Sequence, residues 1–78
     1  SNVSNADMSE SDLTGVNFSS GRHGTNLSLV NFTNSDLTNT TFINSNLTNS
    51  SFRGAKLINA DLTNTNLTSV NFTSNTFR

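Results

Sequence analysis

A large apolar residue recurs at every fifth position through most of this sequence. From Leu27 to Phe72 the repeat is unbroken, and almost only Asn, Thr, Ser, Asp and small residues lie between the apolar positions. On an α-helix five residues advance the chain by about 140° beyond one turn, so these side chains would not form a stripe. On a flat strand an odd period places them on alternate faces. The period is satisfied if the chain turns a corner once per repeat, which predicts an all-β solenoid.

The recurring apolar residues, which we call anchors, are the predicted core. The series is interrupted once, because Leu27 lies nine positions after Phe18 where two repeats would take ten. Two glycines in this stretch indicate a distorted corner or bulge. We therefore expect a single domain over residues 1–78 with a register break near 20–24. The expected anchors are Met8, Leu13, Phe18, Leu27, Phe32, Leu37, Phe42, Leu47, Phe52, Leu57, Leu62, Leu67, Phe72 and Phe77.

Smaller residues follow the same period. Two positions before each anchor comes a small or β-branched residue, such as Val30, Ser35 or Ala55. Because positions two apart on a strand share a face, these residues should also point inward. The residue between them and the anchor, most often Asn or Asp, should point outward. The Asn, Ser and Gly residues that follow the anchors suit tight turns.

The repeat resembles that of a known family. Ala60-Asp61-Leu62-Thr63-Asn64 and Ala6-Asp7-Met8-Ser9-Glu10 are similar to the A(D/N)LXX unit of pentapeptide-repeat proteins, and the resemblance covers nearly the whole chain apart from residues 20–24. It implies a right-handed quadrilateral β-helix of about four coils, with four pentapeptides in each coil.

The resemblance also implies four columns of stacked anchors. The second column would be a Phe stack with rings about 4.8 Å apart, the spacing of neighbouring strands. Arg22 or His23 would lie near the vacant top of the fourth column. The implied columns are Met8, Leu27, Leu47 and Leu67; Leu13, Phe32, Phe52 and Phe72; Phe18, Leu37, Leu57 and Phe77; and Phe42 with Leu62.

Composition argues against catalysis and against charged partners. The net charge is −1 and Cys is absent, so no thiolate metal site, thiol nucleophile or basic nucleic-acid surface is expected. The spacing identifies no catalytic partner for His23, which we interpret as a loop residue. The aspartates fall in different columns of the implied wrap and read as turn residues rather than an acid–base pair: Asp7, Asp12, Asp36 and Asp61. We predict no enzyme, no cofactor, no metal site and no membrane partner.

Asn-X-Ser/Thr triplets are the strongest remaining signal. An Asn-anchor-Thr repeat generates such triplets automatically, which is the simpler interpretation. The alternative is partial N-glycosylation of a secreted chain. The candidate acceptors are Asn2, Asn17, Asn26, Asn31, Asn39, Asn46, Asn49, Asn66 and Asn71.

Three functions are compatible with a polar solenoid. The first is a structural subunit that stacks end to end on other copies or adjacent repeats, as in an extracellular or cell-surface fibre, because the terminal coils of a solenoid leave anchors and amides uncovered. The second is a DNA-mimicking, gyrase-protecting module of the cytoplasm, which the near-neutral charge disfavours. The third is an ice-binding face, suggested by the alignment of Ser28, Thr48 and Thr68.

Overall fold

Single-residue parallel bridges connect successive coils of the chain. The computed structural model describes residues 2–19 and 24–76, and over those ranges it contains no helix and no strand longer than one bridge residue. Bridge partners are 24 residues apart in the first step, as in Asn2 with Asn26, and 20 apart thereafter, as in Asn26 with Asn46. The short strands expected from the sequence are therefore reduced to single ladder positions.

The bridges define four columns, one on each side of the coil. Within a column, each residue pairs with the one a full circuit later in the chain. Column 1 contains Asn2, Asn26, Asn46 and Asn66; column 2 contains Asp7, Asn31, Ser51 and Asn71; column 3 contains Asp12, Asp36, Lys56 and Thr76; column 4 contains Asn17, Thr41 and Asp61. The residue directly after each column residue is an anchor, except that Asn2 is followed by Val3. Phe77, the anchor after Thr76, lies outside the described residues.

Each corner that lies wholly within the described residues is a tight turn that begins at an anchor. The Phe32 carbonyl accepts a hydrogen bond from the N–H of Ser35, and the Leu37 carbonyl accepts one from the N–H of Thr40, both at 3.1 Å. The second residue after the anchor has a positive φ, between 53° and 66° where it is not Gly. This is the pattern of a type II turn, and Asn tolerates that backbone region better than most residues. Seven of the eleven non-Gly residues with a positive φ are accordingly Asn.

The core is the inside of the coil. Seven consecutive anchors, from Leu27 to Leu57, are only 0–1 % exposed, and the small residues that precede them, such as Ser45 and Ala55, are also buried. The anchors of the first coil, together with Leu62 and Phe72, are half-buried, and Leu67 is 37 % exposed. Burial thus falls off toward both ends of the stack.

The register of the first coil differs from the expectation. The Asp7–Asn31 bridge puts Met8 beside Phe32, and the next two bridges put Leu13 beside Leu37 and Phe18 beside Phe42. The expected columns were wrong by one place for Met8, Leu13 and Phe18.

The cause lies in the gap before Leu27. That gap contains one pentapeptide plus four additional residues, numbers 20–23, and not two pentapeptides with one residue missing. Gly24, with φ +64°, occupies the normal positive-φ corner position, and Ser19 occupies the position directly after the anchor. Arg22 and His23, expected near the top of column 4, lie outside the described residues.

The Phe rings also pack differently from a simple stack. Phe32 and Phe52 have ring centroids 4.9 Å apart, close to the expected spacing, but their planes are inclined by 62°. Phe52 and Phe72 are 5.5 Å apart and inclined by 58°. The parallel pair is Phe18 with Phe42 in column 4, at 5.1 Å and 7°. Inclined rings are favoured by the ring quadrupole, and Phe32 and Phe52 accordingly pack edge to face while Phe52 and Phe72 are tilted.

Candidate functional site

The outward surface repeats one hydrogen-bonded motif. The Asn46 side-chain oxygen accepts hydrogen bonds from the Thr48 N–H at 3.0 Å and from the Thr48 hydroxyl at 2.6 Å. Asp36 and Asp61 accept the same pair of bonds from the Thr two residues later. This Asx turn holds the first residue of the corner. It explains physically why Asn or Asp precedes an anchor and Ser or Thr follows it.

The same motif accounts for most of the Asn-X-Ser/Thr triplets. Seven of the nine candidate acceptors occupy column positions, and each accepts a hydrogen bond from the N–H two residues later: Asn2, Asn17, Asn26, Asn31, Asn46, Asn66 and Asn71. Asn39 and Asn49 instead occupy exposed positive-φ corners. The turn uses Oδ1, whereas an N-linked glycan attaches through Nδ2, so the geometry fits both interpretations.

Hydrogen bonds in this motif shift the titration of three carboxyl groups. The pKa of Asp36 is lowered by the hydroxyl and N–H of Thr38, with a further contribution from the Lys56 ammonium. The pKa of Asp61 is lowered in the same way by Thr63, and that of Asp7 by Ser9. In each case hydrogen bonds to the charged form outweigh the opposing effect of desolvation.

The four faces differ in charge. Face 1 consists of the four column 1 residues and the residue two positions after each of them. All eight are Asn, Ser or Thr: Asn2, Ser4, Asn26, Ser28, Asn46, Thr48, Asn66 and Thr68. Charged residues interrupt the other three columns, with Asp7 in column 2, Lys56 in column 3 and Asp61 in column 4. Face 1 is therefore a neutral array of carboxamides and hydroxyls.

Two aspartates lie in the same column, contrary to the expectation from the sequence. Asp12 and Asp36 form a bridge in column 3, so the expectation that the four aspartates occupy different columns was wrong for this pair. Asp36 in turn bridges to Lys56, which places a cation in the same column. Asp7 and Asp61 remain on separate faces.

Within residues 2–19 and 24–76 there is no pocket and no group of three or more metal-ligating side chains. His23 lies outside these ranges. Over the same ranges no helix is long and apolar enough to cross a membrane.

Unsatisfied backbone groups concentrate at the two ends of the stack. In the interior, each anchor N–H donates to the column residue one coil above, as from Leu47 to the Asn66 carbonyl at 2.9 Å. The N–H groups of Leu62 and Leu67 have no such acceptor among the described residues. We call this end, with Leu62, Leu67 and Phe72, the upper end surface. The lower end surface comprises Val3, Met8, Leu13 and Phe18.

Two structural residues were missed by the sequence analysis. Val3 lies five residues before Met8 and packs against the core as a further anchor. Its spacing was the available signal, but Val is smaller than the Leu and Phe of the other anchors. Asn75 occupies an inward position, where its amide donates to the Phe52 carbonyl and its Oδ1 is buried without a hydrogen-bond partner. The signal for Asn75 was its position two residues before Phe77, because the corner asparagines lie three residues before an anchor.

Comparison with known proteins agrees with this architecture. A family model described as pentapeptide repeats matches in eight copies over residues 1–21, 23–54 and 35–73. No curated protein sequence is significantly similar to the chain.

Three solved structures have a similar fold. A pentapeptide repeat protein from the Arabidopsis thaliana thylakoid lumen gives a TM-score of 0.65 at 29 % identity, over 87 % of this chain and 51 % of its own. A protein of the same description from Cyanothece 51142 gives 0.62 at 26 %, over 99 % and 60 %. One from Nostoc Pcc 7120 gives 0.59 at 26 %, over 83 % and 55 %. The chain thus spans about half to three fifths of these relatives.

Proposed function

The chain belongs to the pentapeptide-repeat family, and from that premise we propose that it is a structural solenoid that stacks end to end with other copies. Solved members of the family are right-handed quadrilateral β-helices, and the family generally serves structural or interaction roles rather than catalysis. We also infer about four coils of four pentapeptides, which is supported by columns of up to four bridged residues.

The observation that carries this proposal is the loss of burial at the end surfaces. Central anchors are 0–1 % exposed, whereas Leu67 on the upper end surface is 37 % exposed. Its N–H also has no acceptor among the described residues. An uncovered row of apolar side chains and amides is a template for another set of coils. Contact between an upper and a lower end surface is heterologous and does not close, so it generates a filament.

Light scattering and electron microscopy of the purified 78-residue chain test this proposal. The expected result is a mass that rises with protein concentration, and short rods in the micrographs. A monomeric mass across the micromolar to millimolar range would overturn it. Leu67→Asp is the matched variant, because a carboxylate on the upper end surface should suppress association while the buried central anchors remain. Asn39→Asp adds the same charge at an exposed corner in the middle of the stack and should associate as the parent chain does.

We further propose that this scaffold works at the cell surface or outside the cell, with some of its triplets N-glycosylated. Support comes from Asn39 and Asn49, which are exposed at corners, and from the exposed Asn46 and Asn66 in column 1. Neighbouring coils are about 4.8 Å apart, so adjacent acceptors in one column could not all carry glycans. Intact mass of native material, before and after enzymatic removal of N-linked glycans, tests this. An unchanged mass equal to that of the bare chain would count against it.

Ice binding is a second candidate, favoured by face 1. The hydroxyls of Thr48 and Thr68 both donate to an Asn side chain at 2.6 Å, so their methyl groups are held in one orientation at regular spacing. Thermal hysteresis of the purified chain tests this function, and Thr48→Lys should abolish any activity. DNA mimicry has less support, because the described faces carry Arg53 and Lys56 as well as carboxylates.

A further inference from the structure

We propose that the corner between columns 4 and 1 of the first coil is an insertion point of the solenoid. Its contacts are complete without residues 20–23, which we call the inserted segment, so the coil can carry a segment of another length or composition there. The insertion point does not depend on end-to-end association, because it lies at one edge of a single coil. Three observations on the described residues at either side of the segment support it.

The coil above shows a continuous corner at the same edge. There Phe42, Ile43, Asn44 and Ser45 follow one another in the chain. The Ser45 N–H donates to the Phe42 carbonyl at 2.9 Å, and Asn44 has the positive φ, +62°, of the second residue after an anchor. An anchor and the inward residue three positions later thus close this corner with one turn.

The chain on both sides of the inserted segment lies beneath that corner. The Phe18 ring stacks on the Phe42 ring, with centroids 5.1 Å apart and planes inclined by 7°. Beyond the segment, the Thr25 N–H donates to the Ser45 hydroxyl at 3.3 Å. Phe18 and Thr25 therefore occupy positions that are three residues apart in the coil above, although they are seven apart in the sequence.

The two positions between them are also filled. Gly24 has a φ of +64°, and a Cβ atom on it would overlap the Asn44 carbonyl, so it lies at the corner directly beneath Asn44. The Ser19 N–H donates to Asn17 Oδ1 at 2.8 Å, which is the Asx turn that begins other corners. Ser19 and Gly24 thus take the places that Ile43 and Asn44 have in the coil above.

A hydrogen bond found at an uninterrupted corner also closes this one. The Thr40 hydroxyl donates to the Leu37 carbonyl at 2.7 Å, three residues before it in the chain. The Thr25 hydroxyl donates to the Phe18 carbonyl in the same way, across the inserted segment. The anchor carbonyl therefore has its corner partner without any contribution from the segment.

A direct peptide bond from Ser19 to Gly24 would produce an ordinary repeat. The anchors Phe18 and Leu27 would then be five positions apart, with Gly at the corner. The inserted segment is thus additional to a corner that satisfies the repeat by itself. The entropy of closing a loop grows only slowly with its length, so a recognition segment could be carried at this corner with little loss of stability.

Deletion of residues 20–23 tests the insertion point. Thermal unfolding followed by circular dichroism should give a midpoint within about 4 °C of the parent chain's, or above it. The matched control lacks residues 43–46, the same number from the corner directly above. It should lose cooperative unfolding, because Phe42 and Leu47 become neighbours in the chain. A midpoint for the first variant more than about 4 °C below the parent chain's would overturn the proposal.

Two replacements test the insertion point without forming a new bond between Ser19 and Gly24. Gly-Ser-Gly-Ser in place of residues 20–23 should leave the midpoint unchanged. An eight-residue Gly-Ser segment should lower the equilibrium constant for folding by about threefold, the effect of doubling a loop. A loss greater than about tenfold with either replacement would equally overturn the proposal, because the fold would then depend on the segment's own residues or length.

Thr25→Val tests whether the corner keeps its geometry when the segment is removed. It deletes the hydroxyl that donates to the Phe18 carbonyl. The equilibrium constant for folding should fall by the same factor in the parent chain and in the variant that lacks residues 20–23. A fall in the parent chain alone would mean that the corner depends on the segment, and the insertion point would be wrong.

Discussion

Gly24 lies directly against the backbone of Asn44, so that a Cβ atom on Gly24 would overlap the Asn44 carbonyl. Gly24 also has a φ of +64°, a conformation that L-residues adopt at a cost of about 1–2 kcal/mol. Gly24→Ala should therefore lower the free energy of unfolding by about 2–4 kcal/mol, since the backbone must shift as well. Urea denaturation followed by circular dichroism measures this loss.

Gly15 is the matched control for that variant. Its φ is +75°, but a Cβ there would meet nothing within 4 Å. Gly15→Ala should cost only the backbone strain, about 1–2 kcal/mol. Equal losses for the two variants would mean that the contact with Asn44 does not contribute.

Ser50 is a polar residue in an apolar position of the interior. It is 1 % exposed and its hydroxyl has no hydrogen-bond partner. The N–H of Ser51 donates to the Val30 carbonyl and that of Asn71 to the Ser50 carbonyl, so Val30 and Val70 occupy the same position in the adjacent coils. Ser50→Ala should raise the free energy of unfolding by about 1 kcal/mol, because it removes an unpaired buried hydroxyl. Thermal unfolding measures the change.

Ser35 is the control for Ser50, because its buried hydroxyl donates to the Met8 carbonyl at 2.5 Å. Ser35→Ala should lower stability by about 1 kcal/mol. The two serines should thus respond in opposite directions to the same substitution. A loss at both positions would indicate that Ser50 makes a hydrogen bond after all.

Acid should destabilise the protein through the carboxylates of the Asx turns. The pKa of Asp61 is lowered from its ordinary value of 3.8 by the hydroxyl and N–H of Thr63. A group with a lowered pKa in the folded state contributes stability above its unfolded pKa, and that contribution is lost as the pH falls through the folded value. Asp61→Asn keeps the acceptor oxygen and removes the titration. Its stability should therefore fall less than that of the parent chain between about pH 5 and about pH 2.

Asn46 provides the reciprocal test of that pH dependence. It makes the same two hydrogen bonds with Thr48 as Asp61 makes with Thr63. Asn46→Asp should therefore steepen the loss of stability in acid. If the free energy of unfolding falls with pH in the same way for the parent chain and both variants, these hydrogen bonds have no role in the titration.

The position of Phe18 marks the limit of what the sequence could predict. Leu27 lies nine positions after Phe18, a spacing that fits both two repeats with one residue missing and one repeat with four residues added. Both keep every anchor inward when the difference is absorbed at a distorted corner. The spacing alone therefore does not locate the additional residues. The bridge of Asn17 with Thr41 does, since it fixes the coil on both sides of the gap.

The sequence predicted which side chains point inward and outward better than it predicted which residues meet in neighbouring coils. Leu37 and Asp36 follow from the five-residue period, because facing is a local property of the backbone. The pairing of Asp12 with Asp36 depends on the total length of the first coil, which includes residues outside the repeat. The 62° angle between Phe32 and Phe52 depends on ring packing that the period does not specify.

Leu29 is an apolar residue at a corner that elsewhere favours Asn. Its φ of +59° is unfavourable for Leu, and its side chain is 53 % exposed, so burial of the side chain does little to offset the backbone strain. Leu29→Asn should raise the free energy of unfolding by about 0.5–1 kcal/mol, because Asn tolerates this backbone region more readily. The reverse substitution at an equivalent corner, Asn39→Leu at φ +61°, should lower it by a similar amount. Chemical denaturation of both variants measures the pair, and a loss of stability in Leu29→Asn would mean that the Leu29 side chain makes a stabilising contact.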